Sequence, residues 1–311
     1  MSLPSLKVYH KASYPAISPT RPELSQAGKT ILITGGNSGI GYAIAQGFIA
    51  AASKRVIILG RRAEVVASAT TKLTKEALDL GSKTIVDARV CDIASLEATE
   101  KLWNELQEDR IVIDVLVLNA AAGGISAPIL KNGRDNVWAD FESNVRSALE
   151  LMERFQKQPG EETEPRKFVV NLSSTVAYMW STMAPERPSY GLTKSASTLL
   201  LQQIAKDTPV DQMQIVSFHP GGVLTDMARR AGFNEDMGIP FDNENLPGHF
   251  AVWAASREAE FLHGRFVWAN WDVAEIKEGA IGERIRTDPH FLKVGIEGLT
   301  ESTGNPLRYK K

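Results

Sequence analysis

Short apolar runs alternate with stretches of helical periodicity along most of this chain. TILITGG (30–36), KRVIILG (54–60), a run at 83–89, IVIDVLVL (111–118), FVVNLS (168–173) and QIVSFHP (214–220) read as strands. Segments 39–50, about 62–80, 95–108, 134–156 and 188–206 carry apolar residues every three or four positions and read as helices. This order predicts βαβ units around a mostly parallel sheet. Runs such as ILITG and VIDVLVL lack polar alternation, which suits strands covered on both faces. A last apolar strand is expected at 264–269.

At 311 residues the chain can form one large core or two modest domains. No internal repeat or low-complexity linker divides it, so one α/β domain over 28–271 is expected, with late decorations. Residues 1–27 hold Pro4, Pro15, Pro19 and Pro22 and read as an irregular arm over the body. Residues about 225–250 read as a lid, and 272–311 as a C-terminal extension. The formal net charge of -2 gives no field that favours nucleic acid. A single cysteine, Cys91, excludes an intrachain disulfide and a cysteine-cluster metal site. His10, His219, His249, His263 and His290 show no ligand-like spacing, so no metal is expected. There is no signal-like apolar core, and no run approaches the ~18 residues of a membrane span. A reducing, cytoplasmic setting is the expectation.

TGGNSGIG (34–41) lies between the first strand and the first helix, which predicts a dinucleotide-binding Rossmann fold. Gly35 suits the tight turn, Gly39 a close approach of backbone to phosphate, and Gly41 the packing of helix on strand. Backbone N–H groups at a helix start receive a pyrophosphate well. Strand two ends in ILGRR, where an NAD site usually carries a carboxylate. Gly60, Arg61 and Arg62 stand there instead, and a guanidinium binds a 2′-phosphate in a fork. NADP(H) is therefore the expected cofactor, with Arg61 ahead of Arg62. Asp92, in VCDI, either meets the adenine or caps the following helix.

Tyr190 and Lys194 are four residues apart, so on a helix they share a face. A nearby cation favours tyrosinate. Tyr190 is then suited to give a proton to a carbonyl oxygen, or to accept one from an alcohol. A serine hydroxyl beside it would hold the substrate oxygen. Taken alone, the Tyr/Lys pair is equally a surface pair, and Ser173 and Ser174 equally a strand end. Their place at the C-terminal end of a parallel strand, where ligands bind, favours chemistry.

TGGNSGIG (34–41), Asp92, NAAAG (119–123), Asn144, NLSS (171–174), YGLTK (190–194) and HPGGVLT (219–225) together resemble the short-chain dehydrogenase/reductase family over about residues 29–270. The resemblance implies Ser174 as active-site serine, Tyr190 as acid/base, and Lys194 as tyrosine-activating and ribose-binding. It implies that Asn144 supports the lysine through water. It places Pro220, Val223 and Thr225 around the nicotinamide. The cofactor set is then Gly35, Asn37, Ser38, Gly39, Ile40, Gly41, Arg61, Arg62, Asp92, Ile93, Asn119, Tyr190, Lys194, Pro220, Val223 and Thr225. A homodimer or homotetramer built on the helices near 134–156 and 188–206 is also implied. The lead-in SYPAISPTRPELSQAGK resembles that of fungal reductases, which points to secondary metabolism.

Three departures from the family pattern stand out. Leu118-Asn119-Ala120-Ala121 replaces the frequent Asn-Asn-Ala-Gly. Ser174 and Tyr190 are 16 positions apart, about three more than is common, which keeps Ser173 in contention. FVWANWDVAEI (266–276) lacks the usual Gly-Gly, and Trp268 and Trp271 are expected against a neighbouring subunit or the lid. Met179, Trp180 and Met183 line an apolar pocket, or else belong to the core or a dimer contact. With Met227, Phe233, Met237, Ile239 and Phe241 they suggest a bulky apolar carbonyl substrate. The expected activity is NADPH-dependent reduction of a ketone or aldehyde, or its reverse. A non-redox isomerase, dehydratase or cyclase, and a cofactor-binding regulatory protein, are the alternatives.

Overall fold

The computed structural model describes residues 6–158, 166–179 and 181–296. Strands β1 (Thr30–Thr34), β2 (Arg55–Gly60), β3 (Ile85–Val90), β4 (Val115–Leu118), β5 (Lys167–Leu172), β6 (Met213–His219) and β7 (Arg265–Trp268) form one sheet, ordered β3-β2-β1-β4-β5-β6-β7. Every pairing is parallel. The helices are α1 (Gly39–Ala50), α2 (Ala63–Asp79), α3 (Leu96–Glu108), α4 (Ile129–Asn132), α5 (Arg134–Phe141), α6 (Ser147–Lys157), α7 (Pro188–Asp207), α8 (Asp226–Arg230), α9 (Asn245–Ala254), α10 (Val273–Glu278) and α11 (Ala280–Thr287). The chain is thus the doubly wound α/β fold expected, its strand order reversing between β1 and β4.

Each face of the sheet carries its own core. Ile31, Ile33 and Val117 pack with Phe48, Phe250 and Trp253 on one side. Leu32, Ile57 and Leu116 pack with Leu102, Leu151 and Phe155 on the other. All five residues of β1 are buried, as two-sided coverage requires. The edges are managed differently. β3 carries Asp87 and Arg89, paired at 3.0 Å (Arg55–Asp87) and 2.8 Å (Arg89–Asp109), which blunts that edge. β7 is covered by the chain's own late segment, with Phe266 N donating to Leu292 O at 2.8 Å.

Two expected elements are modified. The strand expected at 111–118 starts only at Val115. Gln158 pairs its amide with Ile113, accepting from N at 2.9 Å and donating to O at 2.7 Å, where a strand neighbour would otherwise stand. The Asp114 carboxylate accepts from Thr30 N at 2.7 Å. The single helix expected at 134–156 is two helices joined by a π-helical turn, Glu142–Arg146, which holds Asn144. Such turns recur at functional sites.

In the N-terminal segment Ile17 and Leu24 are fully buried against the body. The expected lid divides in two. α8 and the turn at Glu235–Met237 are exposed, whereas α9 buries Leu246 and Phe250 against α1. The two helices cross at glycines. A Cβ on Gly248 would lie 2.6 Å from Ala43 O, and one on Gly47 would lie 2.8 Å from Gly248 O. Gly248→Val should force them apart and lower stability by about 1–3 kcal/mol, read as a lower urea midpoint. An unchanged midpoint would show that the contact is not tight.

Candidate active site

The C-terminal ends of β1, β4, β5 and β6 point to one edge of the sheet, and the predicted site residues lie along it. The Gly-rich turn leaves β1 with Gly35 at φ +65° and Gly39 at φ +52°. A Cβ on Gly41 would stand 2.2 Å from Gly35 O and 2.5 Å from Asn119 Nδ2, so no side chain fits there. Asn119 ties β4 to this turn, donating from Nδ2 to Thr34 O at 2.8 Å and to Gly35 O at 3.2 Å. Asn37 lies against Gly60, where an added Cβ would come within 2.5 Å of its Oδ1. Ser38 precedes α1 in extended geometry, and Ile40 packs against the core. From the other side, Thr225 Cγ2 would be 3.3 Å from a Cβ on Gly39. The loop after β6 therefore closes over the glycine turn. Thr225 also caps α8, accepting from Ala228 N at 3.2 Å.

That loop is tied from behind by residues the sequence reading missed. Gly221 has φ +92°, and the Asp242 carboxylate accepts from Gly222 N at 2.7 Å and from Asn270 Nδ2 at 3.0 Å. Lys11, in the arm, lies 3.6 Å from Asp242 Oδ1 and donates to Pro240 O at 2.7 Å. Trp268 and Trp271 stack on each other at 6.0 Å. Trp268 donates to the Tyr178 hydroxyl at 3.0 Å, and Tyr14 of the arm donates to Trp271 O at 3.1 Å. Burial lowers the His219 imidazole to about 4, and its ring meets Trp268 edge-on at 5.0 Å. His219 is thus a neutral wall at the end of β6.

The two serines part company. Ser173 is buried and bonds Thr198 Oγ1 at 2.6 Å. Ser174 caps the short turn Thr175–Ala177 and interacts with the Tyr190 phenol. The insertion between Ser174 and Tyr190 thus leaves Ser174 facing the tyrosine. Met179 follows it half-buried, Met183 is exposed, and Trp180 lies outside the described residues. Burial pushes the Tyr190 phenol up, while Ser174 and the charge of Arg187 pull it down. Lys194 lies 6.0 Å from the centre of the Tyr190 ring. Its Nζ donates to Leu172 O at 2.7 Å, which uses one of three N–H groups.

Asn144 braces this arrangement. Its Oδ1 accepts from Ala122 N at 2.7 Å, and its Nδ2 donates to Ala122 O at 3.0 Å and to Thr193 Oγ1 at 2.9 Å. A gap of about 10 Å³ lies between Asn144, Asn171, Lys194 and Ser197, near the lower limit for one water. A second brace, also missed, is Asp140, which accepts from Ser189 Oγ at 2.6 Å just before Tyr190. Leu118 faces the core, so the missing amide at that position is not a gap in the crevice.

A dinucleotide fits these residues. The glycine turn presents backbone where a Cβ would clash, and Lys194 keeps donors free for ribose hydroxyls. Arg61 and Arg62 are exposed at the end of β2 and form no ion pair among the described residues. Asp92 does not cap α3: Ser95 does, accepting from Ala98 N at 3.2 Å, while Asp92 Oδ1 accepts from Ala94 N at 3.1 Å. Ile93 lies half-buried beside the Asn144–Lys194 gap. Pro220 and Val223 lie in the loop over the turn, where Val223 O accepts from Thr225 N at 2.9 Å. Among the described residues no cluster of side chains suits a metal ion, and no helix is long and apolar enough to cross a membrane. A cavity of about 900 Å³ opens at the opposite end of the sheet, near Thr30, Lys54 and Trp103.

Burial lowers the Lys194 ammonium to about 8. The unfolded chain then binds more protons than the folded one from about pH 8 to 10.5, so stability rises with pH across that window. In the ligand-free protein, native stability relative to Lys194→Met should rise by roughly 2 kcal/mol between about pH 7.5 and 9.5, measured by urea unfolding. Parallel pH dependence in the two proteins would contradict the burial of a charged lysine.

A model of the short chain dehydrogenase family matches residues 29–236. A short chain dehydrogenase/reductase of Claviceps purpurea is 35% identical over 93% of this chain and 93% of its own length. The short chain dehydrogenase/reductase AacuD of Aspergillus aculeatus is 32% identical over 93% of this chain and 95% of its own. Among solved structures, the Pseudomonas aeruginosa RhlG/NADP active-site complex superposes with a TM-score of 0.69 at 23% identity, covering 80% of this chain and 97% of that one. L-sorbose reductase from Gluconobacter frateurii, complexed with NADPH and L-sorbose, gives 0.67 at 21% identity, over 79% and 96%.

Proposed function

The chain belongs to the short-chain dehydrogenase family, and we propose that it is an NADP(H)-dependent oxidoreductase that interconverts a ketone or aldehyde with the corresponding alcohol. The observation that carries this reading is the convergence of Ser174, Tyr190 and Lys194 beside a glycine turn that admits only backbone. Known structures with NADP and NADPH share the fold, and Arg61 and Arg62 stand where an acid would repel a 2′-phosphate.

Nicotinamide, when bound, gives or takes the hydride. The protein's own groups handle the proton. Ser174 holds the substrate oxygen by a hydrogen bond, and Tyr190 delivers its phenolic proton to that oxygen as charge develops there. In the reverse direction Tyr190 takes the proton back. Lys194 and Arg187 lower the cost of the phenolate. Asn144 fixes the loop at Ala122 against α7, so Tyr190 and Lys194 keep their place relative to the glycine turn. The gap beside Asn144 and Lys194 supports a water-borne proton relay away from the lysine.

We also assign residues 28–271 to one catalytic domain, with 1–27 and 272–311 as its arm and extension. Trp138, Leu149, Leu192 and Leu199 are exposed on α5, α6 and α7, which supports a homo-oligomer through those helices. A bulky apolar carbonyl compound is the expected substrate, given exposed Met227, Phe233 and Met237 on the lid and Tyr178 opposite.

Tyr190→Phe should lower kcat by about 10³-fold or more while the affinity for NADPH, read by fluorescence titration, stays within about threefold. Ser174→Ala should lower kcat by about 10²-fold, whereas Ser173→Ala should lower stability by about 1 kcal/mol and spare turnover. Undiminished turnover in Tyr190→Phe would remove the assigned acid/base. Arg61→Ala should weaken NADPH binding about 10-fold and leave NADH binding unaltered. Equal loss for both cofactors would reject Arg61 as the 2′-phosphate ligand.

A further inference from the structure

Arg187 lies three residues before Tyr190, at the start of α7. It is half-buried, and its Nε is buried without a hydrogen-bond partner. No carboxylate among the described residues pairs with its guanidinium. A Cβ on Gly123 would lie 3.7 Å from Arg187 Nη1 and 3.8 Å from Met227 Sδ. The guanidinium and the lid helix α8 thus both border the loop after β4 at Gly123, and the charge of Arg187 reaches the Tyr190 phenol. The neighbouring charges are spoken for or turned away. Arg229 pairs with Glu235 at 2.7 Å, and Glu186 and Asp226 are exposed with no bond to Arg187.

A half-buried guanidinium with a buried, unpartnered Nε and no acid partner is suited to receive an incoming anion. The cofactor's phosphates have their own donors, at the glycine turn and at Arg61. The acid beside this loop, Asp140 at Gly124, accepts from Ser189 Oγ at 2.6 Å and makes no ion pair with Arg187. A guanidinium fork matches a carboxylate in two parallel hydrogen bonds. We propose that Arg187 is a specificity-determining residue that anchors a carboxylate on the carbonyl substrate, so that the substrate is a keto acid or aldehyde acid whose apolar body lies against the lid. This deepens the oxidoreductase reading and rests on it. The anion also sets orientation: with its carboxylate held by Arg187, a substrate of the right length brings its carbonyl oxygen to Ser174 and Tyr190.

The test uses 2-, 3- and 4-acetylbenzoate and their methyl esters with NADPH, since the three isomers vary the distance between carboxylate and carbonyl. For the native protein, at least one acid should exceed its ester in kcat/KM by about 10-fold or more. Arg187→Met should bring that ratio to within about twofold of unity, and Arg187→Lys should leave it in between. Benzoate, which has no reducible carbonyl, should bind the NADP⁺-loaded native protein about fivefold more tightly than Arg187→Met by calorimetry. If esters are reduced as well as acids for all three isomers, the anchor is wrong and the oxidoreductase reading stands. If neither acid nor ester is reduced yet benzoate binding still depends on Arg187, the anchor stands and the redox reading fails. Benzoate binding that is equal in native protein and both variants overturns the anchor.

Discussion

The site depends on the clamp made by Asn144. One short side chain bonds both sides of the Ala122 backbone and the Thr193 hydroxyl. It therefore joins the loop after β4, which borders the cofactor crevice, to the helix that carries Tyr190 and Lys194. The π-helical turn makes this possible, because it rotates Asn144 inward without ending the helix. Asp140 repeats the idea one turn earlier through Ser189. Two side chains on neighbouring turns thus hold the start of α7 against the α5–α6 segment. A tyrosine that must meet a carbonyl oxygen to within a fraction of an ångström needs such bracing.

Electrostatics then acts on a phenol whose position is already fixed. Burial alone would keep Tyr190 protonated. Ser174 and Arg187 oppose that directly, while Lys194, itself depressed to about 8 by burial, sits 6.0 Å from the ring. Arg187, just before α7, and Lys194, on it, both lie near the phenol, and neither forms an ion pair among the described residues.

Much of this was legible because it is local. The strand ends, the glycine turn and the Tyr190–Lys194 spacing each follow from a few neighbouring residues, and the parallel sheet follows from the alternation of strands and helices. What was not legible depends on partners far apart in the chain. Gln158 replaces a strand neighbour at Ile113, 45 positions away, and so shortens β4. Ser173 and Ser174 are indistinguishable by spacing, and only the Thr198 hydroxyl, 25 positions on, takes Ser173 out of the crevice. Within the chain, Trp268 and Trp271 pack on Tyr178 and the N-terminal arm, partners far away in sequence. Arg187 carried no motif. It lies in an insertion whose apolar residues drew attention, and its meaning comes from Gly123 and Met227, which fold brings beside it.

The two chain ends also have a physical task. The loop after β6 must close over the glycine turn, yet Gly221 and Gly222 give it little stiffness of its own. Asp242 supplies the stiffness by bonding Gly222 and Asn270. Asp242 is held in turn by its surroundings: Asn243 N donates to Lys11 O at 2.7 Å, and His10 N donates to Asn270 O at 2.7 Å. Arm, loop after β7 and base of the lid therefore form one hydrogen-bonded node. The exposed part of the lid, α8 through Met237, begins and ends on fixed points, at Thr225 beside Gly39 and at Asp242.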